Sequence, residues 1–280
     1  MPDQRRVLTV HGISNLRAAL SPPQAATAMA VELQPRLAEG YRAAGLGHMP
    51  VPELAAAYYA HLLDQGAQSA GVPLEALEPP ERAMLWQWLR ELGAPAEVAQ
   101  GPATAPLRAA MDWLARRRNV GPQALARVMT AVLREVYVYL TRPAVRARVR
   151  QAVAGAIEQH RPRVLVAHSL GTVVAYETLH ATGAEVDLLI TLGSPLGLPG
   201  AIFEALEPEP ADGRGGRPPG VGRWVNIADP GDLIAVPKRL GDRFPVDQHE
   251  EAYLGVVDFH TLGGYLACGL TAAAIMPYAG

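Results

Sequence analysis

The chain has 280 residues, 49% of them apolar, with 27 acidic against 25 basic side chains and a formal net charge of -2. That length can bury a large core, and the near-balanced charge gives no reason to expect a nucleic-acid partner. One lysine, Lys238, and one cysteine, Cys268, rule out a Gly-Lys-Ser/Thr phosphate loop and an internal disulfide.

Residues 1–6 carry no apolar signal segment, and no apolar run reaches membrane-spanning length, so a cytoplasmic chain without a transmembrane segment is expected. Val7, Leu8, Thr9 and Val10 read as a short buried strand that runs into His11, Gly12 and Ile13. Glycine lets backbone approach a bound group closely. The N–H of Ile13 is then a candidate donor to a developing oxyanion, and His11 and Gly12 are expected to line the substrate. Ser21, Pro22, Pro23 and Gln24 form a helix start, with a Ser cap, Pro in the first turn and Gln three residues on. The helix should run to about Ala44 and stop at Gly45. Residues 51–60, centred on Leu54 to Ala60, read as a second strand.

Residues 62–142 break the strand–helix alternation. They read as helices over 80–92, 95–100, 105–118 and 122–140, separated by Pro and Gly. Trp86, Trp88, Trp113, Met84, Met111 and Met129 concentrate here. A helical cap on the sheet is expected, with some of these side chains facing an apolar substrate. Residues 143–160 follow as an Arg-rich amphipathic helix whose apolar face carries Val145, Val149, Val153 and Ile157.

The stretch 163–175 organises the chain. An apolar, β-branched run turns at Ser169 and continues into a helix over 172–181. A nucleophile elbow needs this strand–turn–helix context, with small side chains two residues before and after the Ser. Ala167 and Gly171 occupy those positions. The helix N-terminus favours developing negative charge, and the Leu170 N–H is the expected partner of Ile13 in the oxyanion hole. His168 is expected to shape the pocket while pointing away from the base. Residues 186–192 form another buried strand, ending in Gly193, Ser194, Pro195 and Leu196. Ser194 is rejected as nucleophile because Pro195 would remove the backbone donor; Ser194 is expected beside the substrate. Residues 208–222 have the composition of a surface loop or disordered segment. Residues 223–228 form the last expected strand and open into Asp229, Pro230, Gly231 and Asp232. Residues 262–276 read as one buried helix, with Cys268 in its core.

A Ser nucleophile needs a base, and the base needs a carboxylate to fix its tautomer. Ser169, Asp232 and His260 stand in the chain order expected for this arrangement. Asp232 is preferred to Asp229, which heads an Asp-Pro-Gly turn its side chain should cap. His260 is preferred to His249, which sits among Asp247, Glu250 and Glu251. His48, His61, His160 and His180 read as surface or structural residues. No Cys pair or His-x-x-x-His spacing suggests a metal, and no cofactor is expected.

Five motifs together resemble the α/β-hydrolase superfamily, and more narrowly its lipase- and esterase-like members. They are His11-Gly12-Ile13 after the first strand, Ala167-His168-Ser169-Leu170-Gly171 at the elbow, Gly193-Ser194-Pro195-Leu196, Asp229-Pro230-Gly231-Asp232, and His260 followed by Tyr265. Such families usually carry Gly where Ala167 stands, with the Tyr closer to its His. The likeness covers 7–13 and 163–276; the helical stretch between carries no motif. It implies a mostly parallel sheet flanked by helices, and a Ser-His-Asp hydrolase acting on a carboxylic ester with an apolar acyl or lipid-like group. A peptidase, amidase or thioesterase would use the same triad, and a non-catalytic binding protein could share the fold.

Overall fold

Six strands pair in parallel in the order β2-β1-β3-β4-β5-β6. They are β1 (Val7–Val10), β2 (Leu54–Ala57), β3 (Val164–His168), β4 (Val186–Leu192), β5 (Val221–Ala228) and β6 (Gln248–Glu251). The helices are α1 (Pro22–Ala43), α2 (Ala60–Leu63), α3 (Pro79–Glu91), α4 (Ala105–Arg118), α5 (Pro122–Thr141), α6 (Pro143–His160), α7 (Leu170–Thr182), α8 (Leu262–Ala267) and α9 (Gly269–Ala279). This computed structural model describes residues 7–64, 72–95, 105–237, 239–255 and 260–279.

The architecture is α/β, with helices on both faces of the sheet. Alternate residues of the central strands serve opposite faces, and both faces are apolar, as a covered parallel sheet requires. Val7, Val164, Val166, Leu188 and Ile190 pack towards Leu37 and Tyr41 of α1, Leu266 of α8 and Ile275 of α9. Leu8, Val10, Leu165 and Leu189 pack towards Val173 of α7, Val149 and Val153 of α6, and the helices α3 to α5. No described helix is long and apolar enough to cross a membrane.

Four expectations change. The second strand stops at Ala57, and Tyr58 and Tyr59 turn away into α2. The polar run Gln248–Glu251 pairs with β5 as a sixth strand that its composition did not suggest. The apolar C-terminal run divides at Cys268, whose φ of -72° and ψ of 131° are extended. There the Thr271 hydroxyl donates to the Tyr265 carbonyl. Residues 208–222 are held in place: Arg217 donates to the Pro245 carbonyl and pairs with Asp247, and Gly215 N–H donates to the Arg243 carbonyl. The helix expected over 95–100 falls outside the described residues apart from Pro95.

The chain leaves β1 to form β2 on one side and returns to form β3 on the other. This reversal of direction opens a crevice at the carboxyl ends of β1 and β3. The loop from His11 to Ser14 and the turn at Ser169 meet in that crevice.

Candidate active site

Ser169 joins β3 to α7 with φ 54° and ψ -130°, a conformation that L-residues rarely adopt. Its N–H donates to the Leu192 carbonyl at 3.0 Å, which stabilises the turn. Gly171 lies where backbone from β1 and its following loop crowds the turn. A Cβ on Gly171 would meet the His11 and Val10 carbonyl oxygens at 2.4 and 2.5 Å. The first loop approaches equally closely, since a Cβ on Gly12 would stand 2.6 Å from Ser169 Cβ.

A continuous hydrogen-bonded chain starts at the Ser169 hydroxyl. Its Oγ lies 2.9 Å from His260 Nε2, and His260 Nδ1 lies 2.7 Å from Asp232 Oδ2. Ser169 and Asp232 are fully buried, while the His260 side chain keeps 12% exposure. Asp232 Oδ1 accepts from the Ile234 and Ala235 N–H groups, and Oδ2 also accepts from the Tyr265 hydroxyl at 2.9 Å. Gly193 makes room for this carboxylate. It has φ +53°, and a Cβ there would lie 2.6 Å from Asp232 Oδ2. An imidazole held in this way can take a proton from the hydroxyl on one side while the carboxylate stabilises its charged form on the other.

The rival residues have other partners. Asp229 accepts from the Gly231 and Leu254 N–H groups, so it caps its own loop and the chain after β6. Its N–H donates to the Tyr265 hydroxyl, and Tyr265 thereby ties the two aspartates together. His249 lies on β6 and meets the Asn226 side chain through Nδ1. His61 stacks on Tyr58, and His180 packs edge-on against Tyr176.

Two expectations about substrate-lining residues, Ser194 and His11, are corrected; His168 does line the groove at His260, but its expected direction changes. Ser194 is buried and shares a hydrogen bond with the Thr172 hydroxyl at 2.8 Å, so it braces the elbow helix. His168 does not point away from the base: its ring centroid lies 4.7 Å from that of His260. Burial, with the neighbouring His260, holds the His168 ring well below the usual histidine range. His11 is also buried, and both its ring nitrogens serve backbone. Nε2 accepts from the Tyr59 N–H and Nδ1 donates to the Gly12 carbonyl, while the Tyr59 hydroxyl donates to the His11 carbonyl. His11 therefore shapes the loop that carries Ile13.

Burial lowers the His11 pKa to about 4. Between pH 6.5 and about 4 the unfolded chain takes up a proton that the folded chain refuses. His11's contribution to stability is complete above pH 6.5 and falls away as pH drops to about 4, by about 3 kcal/mol. The gap in urea midpoint between wild type and His11→Gln should therefore narrow on acidification from pH 7.5 to 4. A constant gap would show that the folded ring accepts the proton.

Two spaces reach the hydrogen-bonded chain. A narrow apolar cleft is bounded by Met84 and Trp88 of α3, Val132 and Val136 of α5, and Ile234, with Ser169 at its base. Trp88 is fixed by donation from Nε1 to the Leu233 carbonyl, beside Asp232. A wider, mainly apolar groove opens at His260 and His168, lined by Ile13, Met29, Leu33 and Leu262, with Arg17 and Glu32 at its polar side. Helices α3 and α5 thus roof Ser169, although only two of the Trp and Met residues singled out in the sequence, Met84 and Trp88, reach it. Among the described residues no group of three or more His, Cys, Asp or Glu side chains could hold a metal. Comparison of the chain with known protein families, curated proteins and solved structures finds no match.

Proposed function

We propose that this protein is a serine hydrolase of the α/β-hydrolase type, cleaving a carboxylic ester with an apolar acyl group. The observation that carries this reading is the chain Ser169–His260–Asp232, with contacts of 2.9 and 2.7 Å, at the base of an apolar cleft. Ser169 Oγ attacks the ester carbonyl as His260 Nε2 takes its proton. The N–H groups of Ile13 and Leu170 stabilise the tetrahedral oxyanion. The Leu170 N–H suits this role because it opens α7 and has no intrahelical acceptor. Each such donor contributes about a hundred- to a thousand-fold in rate. Protonated His260 then delivers its proton to the leaving alcohol, and water activated by the same ring releases the acid.

The two spaces differ in what they can hold. The groove beside His260 has room for an acyl group along Ile13, Met29, Leu33 and Leu262, whereas the cleft under α3 and α5 is too narrow to take a chain unless that roof moves. The test is labelling by a fluorophosphonate, together with turnover of p-nitrophenyl esters of graded chain length. Wild type should be labelled, Ser169→Ala should not, and turnover should depend on acyl length. A folded wild type that resists the probe, with and without detergent micelles, would overturn the reading.

A further inference from the structure

Glu135 has no role in the chemistry above, yet it is a carboxylate buried in an apolar roof. It lies on α5 at 8% exposure, between Leu133 and Val136, which line the cleft. Isolated carboxylates are not buried for packing, because desolvation disfavours them. Glu135 Oε1 accepts from the Ser14 N–H at 2.9 Å, across 121 residues of sequence. Ser14 directly follows Ile13 and has φ 59°, the left-handed region that a non-glycine residue holds only with support.

The rest of this loop is held from other sides. Tyr59 takes the His11 carbonyl, and Asn15 Nδ2 donates to the Gly12 and Ile13 carbonyls. Only Glu135 links the loop to the roof helix in the described hydrogen bonds between them. We propose that Glu135 is a positioning residue: it fixes the Ser14 peptide, and through it the direction of the Ile13 N–H, so that the oxyanion hole is assembled only while α5 is seated over Ser169. The proposal rests on the serine-hydrolase reading for its catalytic consequence, and on geometry alone for the coupling of loop to helix. Burial pushes the Glu135 carboxyl up to about 7; the Ser14 N–H opposes this rise and Asp64 adds to it. The acceptor therefore has to work in both protonation states around neutrality, and a neutral amide oxygen should replace it.

The experiment compares wild type with Glu135→Met, which keeps volume and removes the acceptor, and Glu135→Gln, which keeps an acceptor. Glu135→Asp, which withdraws the oxygen by one methylene, serves should the Met variant fail to fold. Each is assayed for kcat and KM on a p-nitrophenyl ester and for hydrogen exchange in the peptide spanning residues 11–16. Glu135→Met should lose at least tenfold in kcat with KM within twofold, and exchange in 11–16 should rise. Glu135→Gln should stay within threefold of wild type in both. Unchanged exchange in the Met or Asp variant, or a Gln variant as impaired as Met, would overturn the proposal. Absence of turnover in wild type, with exchange still responding, would overturn the hydrolase reading and with it the catalytic role, leaving the coupling supported.

Discussion

Asp232→Asn is expected to lower kcat by about ten-thousand-fold while KM stays within a few-fold. The surroundings of Asp232 decide how an Asn would sit. Oδ1 accepts two backbone N–H groups, from Ile234 and Ala235, so the amide oxygen has to take that place. The NH2 group then occupies the Oδ2 position, facing His260 Nδ1 and the Tyr265 hydroxyl. There it donates to Nδ1, which moves the imidazole proton to Nε2. A protonated Nε2 cannot accept from Ser169, although it remains 2.9 Å away in the wild-type geometry. Asp229→Asn is the contrast, because its oxygens cap Gly231 and Leu254 and do not touch the imidazole. It should cost stability and little of kcat. Steady-state kinetics of both variants checks this, and an Asp232→Asn enzyme keeping a tenth of wild-type kcat would sink the assignment of Asp232.

What could be read from the amino acids divides along physical lines. Strands β1, β3 and β4 are apolar on both faces, so their burial is visible in a few consecutive residues. The caps of α1 are equally local: Ser21 and Gln24 form a capping box, and the turn beyond Ala44 passes through Gly45 at φ +73°. The relative order of Ser169, Asp232 and His260 needed no contacts to be inferred. By contrast, β6 is a half-buried polar edge strand, Gln-His-Glu-Glu, and nothing in its pattern distinguishes it from a loop. The break at Cys268 depends on α1, which passes so closely that a Cβ on Gly40 would meet the Leu266 carbonyl oxygen at 2.2 Å. His-Gly after a strand suggests a substrate contact at His11, but its ring is taken up by the Gly12 carbonyl and by the N–H of Tyr59, 48 residues away. Glu135 could not be singled out at all, since a lone Glu on an amphipathic helix usually faces solvent.

Arg146→Met is expected to destabilise the fold by about 3–5 kcal/mol, because it leaves a buried carboxylate without its main counter-charge. Glu177, on α7, is fully buried. Arg146 of α6 grips it with two guanidinium nitrogens, Nε at 2.9 Å and Nη2, and also reaches the Ala205 carbonyl. The Tyr139 hydroxyl of α5 and the Glu207 N–H complete the set of donors. Arg150 lies 3.9 Å from Glu177 and 2.5 Å from Glu207, too far from the first to replace the lost fork. A loss of this size corresponds to a fall in Tm of about 10 °C for a domain of this length. Adding Glu177→Gln should restore more than half of it: the charge is removed, while the amide oxygen still accepts from Tyr139. Thermal unfolding of wild type, single and double variants checks this. A double variant no more stable than Arg146→Met would mean that lost packing, and not an unpaired charge, sets the effect. The network bears on activity as well, since α7 begins at the Ser169 turn and Tyr139 lies one turn from Glu135 on α5. Helix α5 is thus tied to α7 through Tyr139 and to the loop after β1 through Glu135, so loosening the first anchor should raise hydrogen exchange at residues 11–16 before the fold is lost.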